Sequence, residues 1–323
     1  MKAIPLLLVI SISLVGQELE PASAIDFGPA LHLKKHNRGL PIWMLSACQE
    51  GPMVAGGPPA VMTTTIARSD RTGSAVAAFD VHVPYGGGAS IAALPDGSFW
   101  LATRWAGSDF PPPPIAPGMI DATALPRGTT RSGPVSYDLY TRDGRYVKSF
   151  RVVADLFTGI HGWGLALNVS ASADEIAIVY GNLIRAGHIA NRDFVADRDW
   201  HVNGPHLVFA LDHTRFAVVN RMSGEFAVID PSTPSTRTVA VPFKSGSVRD
   251  RLPVTAADGS IWFLVRGPSG ATRLLIQFAP DGSITSRTTL RLPSGFRPLK
   301  IAISGRDVYL VGFTPTVYRY ELP

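Results

Sequence analysis

The residues most able to do chemistry in this chain are His188, Asp193, Asp197, Asp199, Trp200, His201 and His206, which fall close together in one stretch. Imidazole and carboxylate are ligands of divalent metals and also the usual acid–base groups, so His188, Asp199 and His201 are the candidate metal ligands. Their spacing matches no established ligand signature, and the same residues equally suit a solvated loop. A second group is His161-Gly162-Trp163-Gly164. Its glycines allow a close approach of backbone to a ligand, and Trp163 could either stack on that ligand or pack inside the fold. No serine nucleophile elbow, kinase set, zincin motif or dinucleotide fingerprint is present, so no residue is assigned a catalytic role. Gly86-Gly87-Gly88 lacks the lysine and hydroxyl residue of a phosphate loop and reads as a turn.

The elements that must position these side chains are hairpins. Residues 256–266, Ala-Ala-Asp-Gly-Ser-Ile-Trp-Phe-Leu-Val-Arg, place a tight polar turn before a run of β-branched and aromatic residues. The stretches 93–104, 171–179 and 303–311 follow the same plan more loosely. Such a turn between two apolar runs predicts a β-hairpin, and hairpin units recurring at roughly 40–50 residues predict the blades of a β-propeller. The clearest unit spans 252–292, with strands expected at 253–257, 261–266, 273–279 and 284–292. The last of these alternates Ile284, Ser286, Thr288 and Leu290 against Thr285, Arg287, Thr289 and Arg291, the pattern of an outer strand with one wet face. Strand pairs are also expected at 206–211 and 216–220, 225–229 and 236–241, 89–94 and 98–104, and 135–141 and 145–153. Another pair falls at 163–169 and 175–180, after which residues 181–205 show no clean strand pair and read as a long insertion.

The final strands, at 299–304, 308–313 and 317–322, lack a fourth partner. Residues 30–35 are expected to supply it, pairing the two ends of the chain so that no edge is left open. The opening region adds strand-like runs at 42–47, 61–67 and 75–83. The count comes to six four-stranded blades in one all-β domain over 25–323, with five or seven as alternatives.

The repeat resembles the six-bladed propellers of the NHL and streptogramin-lyase-like group. The residues that carry the likeness are Asp258-Gly259-Ser260-Ile261-Trp262-Phe263, Phe278-Ala279-Pro280-Asp281-Gly282-Ser283-Ile284-Thr285 and Asp96-Gly97-Ser98-Phe99-Trp100-Leu101. They cover one unit well and about three loosely, and they are blade-building residues. The resemblance implies a propeller scaffold and, as an activity, metal-assisted lysis with a catalytic histidine.

Strand order assigns the connections to two faces. Second-to-third strand loops share a face with the crossings between units, while the remaining hairpin turns lie opposite. The segments 105–134, with its Pro111–Pro114 run, and 181–205 both belong to the crossing face. Loops on one side of a rigid scaffold usually carry binding. The ligand-binding candidates on this face are Tyr85, Trp105, His161, Trp163, His188, Trp200, His201, Arg249, Arg251 and Arg297.

Lys2, the apolar stretch Ile4–Val15 and Ala22-Ser23-Ala24 read as a secretion leader over 1–24, cut after Ala24. The alternative is an uncut anchor, which the dozen or so apolar residues fit poorly. The reading is an exported protein, periplasmic or extracellular, with no membrane span in the mature chain. With 46% hydrophobic and 17% charged residues, the chain suits a well-buried β protein rather than a disordered one. The net charge of +5 is dispersed rather than gathered into the basic patch of a nucleic-acid binder. A single cysteine, Cys48, rules out an internal disulfide and is expected to be a buried thiol. The expected function is non-catalytic binding of a ligand or protein partner by a monomer, with no cofactor. The alternative is a lyase or lactonase-type hydrolase with a divalent metal at the channel mouth.

Overall fold

The computed structural model describes residues 18–33, 42–57, 63–74, 76–82, 90–94, 96–104, 135–152, 166–169, 175–180, 183–190, 193–201, 206–210, 216–220, 226–229, 237–239, 252–256, 260–267, 269–279 and 283–323. Among these residues the structure is all-β, with twenty-five strands and no helix. Two short strands come first, β1 (Glu18–Leu19) and β2 (Ser23–Asp26).

Six antiparallel four-stranded units follow. The first is β3 (Ile42–Cys48), β4 (Gly51–Gly56), β5 (Thr63–Ser69) and β6 (Val76–His82), and the second β7 (Ser90–Ala93), β8 (Phe99–Arg104), β9 (Val135–Tyr140) and β10 (Tyr146–Val152). The third is β11 (Ala166–Val169), β12 (Glu175–Tyr180), β13 (Leu183–Ala190) and β14 (Asp193–His201). The fourth is β15 (His206–Ala210), β16 (Phe216–Asn220), β17 (Phe226–Ile229) and β18 (Arg237–Val239). The fifth is β19 (Leu252–Thr255), β20 (Ile261–Arg266), β21 (Thr272–Phe278) and β22 (Ile284–Arg291). In the sixth, β23 (Lys300–Ser304), β24 (Asp307–Val311) and β25 (Thr316–Glu321) take β2 as their fourth strand. One parallel pairing, Arg151 with Asp193, joins the outer strands of the second and third units into an eight-stranded sheet.

First strands of successive units lie side by side: β3 with β7, β7 with β11, β11 with β15, β19 with β23, and β23 back with β3. The core therefore sits between sheets. Met53, Ala55 and Ile66 of the first unit pack on Ile91, Phe99, Leu101 and Tyr140 of the second. Trp262, Leu264, Leu275 and Leu290 of the fifth pack on Ile301, Ile303, Val308, Leu310 and Tyr320 of the sixth. Strands covered on both faces have no wet side to alternate with, which is why β4, β20 and β24 are buried almost throughout. The outer β22 does alternate near its end, with Thr288 and Leu290 buried and Arg287 and Arg291 exposed.

Three expectations change. The closing strand is Ser23–Asp26 rather than 30–35, pairing Ile25 with Val317 and Asp26 with Thr316. The chain instead turns tightly at 28–32, where Leu31 N–H donates to the Phe27 carbonyl at 2.9 Å and His32 takes φ 55°. Phe27 and Leu31 are thereby driven into the core between the sixth and first units. Secondly, β4 is an unforeseen strand, because Gly51, Pro52 and Gly56 at its ends read as turn residues. Gly51 is required there: a Cβ would lie 2.3 Å from the Ser69 carbonyl oxygen. Thirdly, 183–201 is a hairpin, not a loop insertion. Cys48 is buried as expected, its thiol 3.7 Å from the Gly51 carbonyl oxygen.

Candidate functional site

Short hairpins and inter-unit ion pairs occupy the face opposite the crossings. In the first unit the β3–β4 turn carries Glu50, which pairs with Arg142 of the β9–β10 turn in the second. Arg71, in the β5–β6 turn, donates to the Gln49 carbonyl at 2.9 Å and reaches Asp307 of the sixth unit at 3.1 Å. These contacts tie neighbouring units together.

On the crossing face the connection between the fifth and sixth units is described in full. The connection 292–299 leaves β22 and enters β23 with Leu292 N–H on the Ala271 carbonyl and Leu299 N–H on the Val311 carbonyl, each 2.8 Å. The Phe296 ring meets that of Tyr318 edge-on at 4.7 Å. Gly312 lets the two connections touch, since a Cβ there would stand 2.6 Å from the Arg297 carbonyl oxygen and 2.8 Å from the Phe296 ring. Arg297 is exposed at this contact, and Phe313, next to Gly312, is 57% exposed, unusual for a large apolar side chain.

Lys300 opens β23 opposite Val311. Along β23, Ile301 and Ile303 pack with the fifth unit while Ala302 packs toward the first. Side chains alternate along a strand, so Lys300 shares the Ala302 side, between the last and first units at the crossing face. It is half-buried, and burial pushes its amine below the usual lysine value. Among the described residues no carboxylate pairs with it. Arg297, Lys300 and Phe313 thus lie at the same end of the sixth unit, Arg297 beside Gly312 through its carbonyl and Lys300 opposite Val311, and cations so placed are the donors that charge-assisted hydrogen bonds to an anion need.

Of the sequence-derived candidates, only Arg297 belongs to this cluster. Tyr85, Trp105, His161, Trp163, Arg249 and Arg251 lie outside the described residues. Trp200 and His201 end β14 on the crossing face, with His201 opposite Leu183 and Trp200 opposite Ile184. His188 is at the other end of the same hairpin, opposite Val195, and Asp199 stands opposite Arg185. Five residues of strand, roughly 16 Å at about 3.3 Å each, separate the levels of His188 and His201. Among the described residues no three His, Cys, Asp or Glu side chains gather as a metal site. What the hairpin does form is an exposed pair, His188 Nδ1 to Asp197 Oδ2 at 2.9 Å, where the register slips between Ala186 and Gly187. A slip of this kind is where a strand re-aims a side chain.

Lys300 was missed because Leu-Lys-Ile-Ala-Ile-Ser reads as an apolar strand with a solvated start. The signal available was a lysine at the crossing-face end of an otherwise buried first strand.

Comparison with known proteins is silent on family and speaks only to fold. No protein-family model matches the chain, and no curated protein matches it. Among solved structures, a protein of unknown function from Bacteroides thetaiotaomicron aligns with TM-score 0.51 and 13% identity over 94% of this chain and 73% of its own. One of unknown function from Bacteroides caccae gives 0.45 and 12% over 80% and 83%. Hydrazine synthase of Kuenenia stuttgartiensis gives 0.47 and 10% over 89% and 97%.

Proposed function

We propose that this chain is an exported six-bladed β-propeller that binds a small anionic molecule at its crossing face, without catalysis. Six four-stranded units, with the last contacting the first through β23 and β3, support the propeller reading. Lys2 followed by Ile4–Val15 supports export. The observation that carries the binding reading is Lys300, a half-buried lysine with no carboxylate partner among the described residues, at the same end of the sixth unit as the exposed Arg297 and Phe313. Holding an ammonium group partly out of water costs stability, and a bound anion offsets that cost. The net charge of +5 favours approach of such a ligand. The metal-assisted lyase or lactonase-type alternative needs His161, His188 or His201 converging with carboxylates on the axis; His161 lies outside the described residues, and the strand register sets His188 and His201 at opposite ends of their hairpin.

Calorimetry with citrate and inorganic phosphate tests the proposal. Saturable binding of at least one, weakened roughly tenfold or more by Lys300→Met and less by Arg297→Ser, is expected from the loss of a charge-assisted contact. No saturable binding by either probe, or equal affinity in the Lys300→Met protein, overturns it.

A further inference from the structure

The residues just ahead of Ile25 are built into the sheets. Glu18 pairs with Thr289 and Leu19 with Leu290, so β1 runs parallel along the outer edge of β22. Leu19 packs against the cluster that holds Trp262, Leu290 and Tyr320. Glu20 meets Arg291 at 3.0 Å, and Ala22 N–H donates to the Arg319 carbonyl at 2.7 Å. Ser23 then pairs with Arg319 and Ala24 with Tyr318 along the outer edge of β25. One short segment therefore covers the exposed edges of two neighbouring units.

A cut after Ala24 would remove all of β1 and half of β2. It would place a new ammonium on Ile25, whose side chain is 2% exposed, and would reopen the β22 edge and part of the β25 edge. Open edges expose unpaired backbone groups and invite pairing with other chains.

We propose that the export leader ends before Glu18, at the Gly16–Gln17 bond, and that the mature protein keeps residues 18–26 as an edge-covering strap. This rests on the export reading above. Gly16 is the small residue that directly follows the apolar stretch Ile4–Val15, with Leu14 at the other small-residue position of an A-x-A-like site. A signal peptidase would add water across the Gly16–Gln17 amide. The leader departs with the new Gly16 carboxylate, and the mature chain begins with the Gln17 amine. The strand-forming residues that follow are spared, while the small-residue run Ala22-Ser23-Ala24 is used as sheet instead of as a cleavage signal.

The test is to produce the full chain in a secreting bacterial host and determine the N-terminus and intact mass of the exported, folded protein. A start at Gln17, free or cyclised to pyroglutamate, is expected. A folded exported chain starting at Ile25, or one that still carries the leader, overturns the proposal. Leader-bearing protein confined to the cytoplasm defeats the export reading itself, so the two failures are told apart by fractionation. A second measurement does not depend on processing: chains beginning at Gln17 and at Ile25 are made without a leader and melted side by side. The longer chain is expected to unfold roughly 5–10 °C higher, the scale set by losing several ladder bonds in a domain this size. Leu19→Ser in the longer chain lowers its midpoint by a smaller step, and equal midpoints for all three overturn the strap.

Discussion

Arg71 Nε lies 3.1 Å from Asp307 Oδ2, joining a turn of the first unit to the start of β24 in the sixth. The same carboxylate takes Arg319 Nε at 2.8 Å through its other oxygen, and the Tyr309 hydroxyl stands 3.4 Å away. Asp307 is 3% exposed in its side chain and Arg319 15%, but Arg71 is 51% exposed. Removing Asp307 takes the shorter of two carboxylate contacts from the nearly buried Arg319 and leaves it Glu321 at 3.2 Å, whereas removing Arg71 only releases one wet partner. Asp307→Ala should therefore cost about 2–3 kcal/mol and Arg71→Ala at most about 1 kcal/mol, read by denaturant unfolding. Equal effects would show that the seam between first and last units is not held through Asp307.

Phe99 and Tyr140 face each other across β8 and β9 with ring centroids 5.4 Å apart, and Phe79 of the first unit stacks on Phe99 at 5.5 Å. Burial, then the nearby Asp138 carboxylate, holds the Tyr140 phenol well above its ordinary value. Its hydroxyl is buried without a hydrogen-bond partner among the described residues. A buried polar group left unpaired is a liability, so Tyr140→Phe should leave stability unchanged or raise it by up to about 1 kcal/mol. Phe99→Ala, which empties the centre of the stack, should cost about 3–5 kcal/mol. A clear loss in Tyr140→Phe would mean that the hydroxyl is held after all.

The two ends of this architecture were unequally legible. The unit 252–291 was readable nearly to the residue because Asp-Gly turns separate runs too apolar to be anything but covered strands. The hairpin 183–201 was not, because its strands carry Arg185, His188, Asp193, Asp197 and Asp199, and no Gly or Pro marks a turn between Ala190 and Asp193. Outer strands have a wet face, and a wet face has the composition of a loop. The closing strand was misplaced for a related reason: Ser23-Ala24 has the small residues of a leader, and only pairing with β25 gives it another role. Of the candidate site, Arg297 was found from its place in a crossing. Lys300 needed the structure to show that its strand is buried and its amine without a carboxylate among the described residues.

Three turn aspartates set the acid side of stability. Asp70 accepts from the Thr72 hydroxyl at 2.8 Å and from the Thr72 and Ser74 amides, Asp96 from the Ser98 hydroxyl and amide, and Asp143 from the Thr141 hydroxyl. Those hydroxyl bonds are the largest cause holding each carboxyl below its ordinary 3.8. A depressed folded value means that the stabilisation is complete above the unfolded value and is lost as pH falls through the folded one. The unfolding midpoint should hold above about pH 5 and fall progressively below about pH 4. The Asp70→Asn, Asp96→Asn, Asp143→Asn protein should show a shallower acid decline, and an unchanged slope would exclude these turns as its source.

Gly312 sets the geometry of the candidate site. With the Arg297 carbonyl and the Phe296 ring inside contact distance of any Cβ, Gly312→Ala must push the 292–299 connection outward. The expected cost is about 1–3 kcal/mol, the range for forced overpacking. Citrate affinity should fall as well, because Arg297 moves with its backbone. Retained affinity in a destabilised Gly312→Ala protein would place the anion away from Arg297.

Lys300 should show the opposite balance between stability and binding. Its folded value lies below the ordinary 10.5 because burial disfavours the charged amine. The sign follows from linkage: below its folded value the group is charged in both states and destabilises the folded one. That penalty shrinks as pH rises through the folded value and vanishes above about 10.5. Lys300→Met keeps the length and apolar stem but carries no charge. It should melt higher than the parent at neutral pH, with the gap closing toward pH 10, and it should lose citrate and phosphate binding. A structural lysine would do the reverse, its replacement lowering the midpoint without selective loss of anion affinity. Gain of stability with loss of binding is the signature of a residue kept for function.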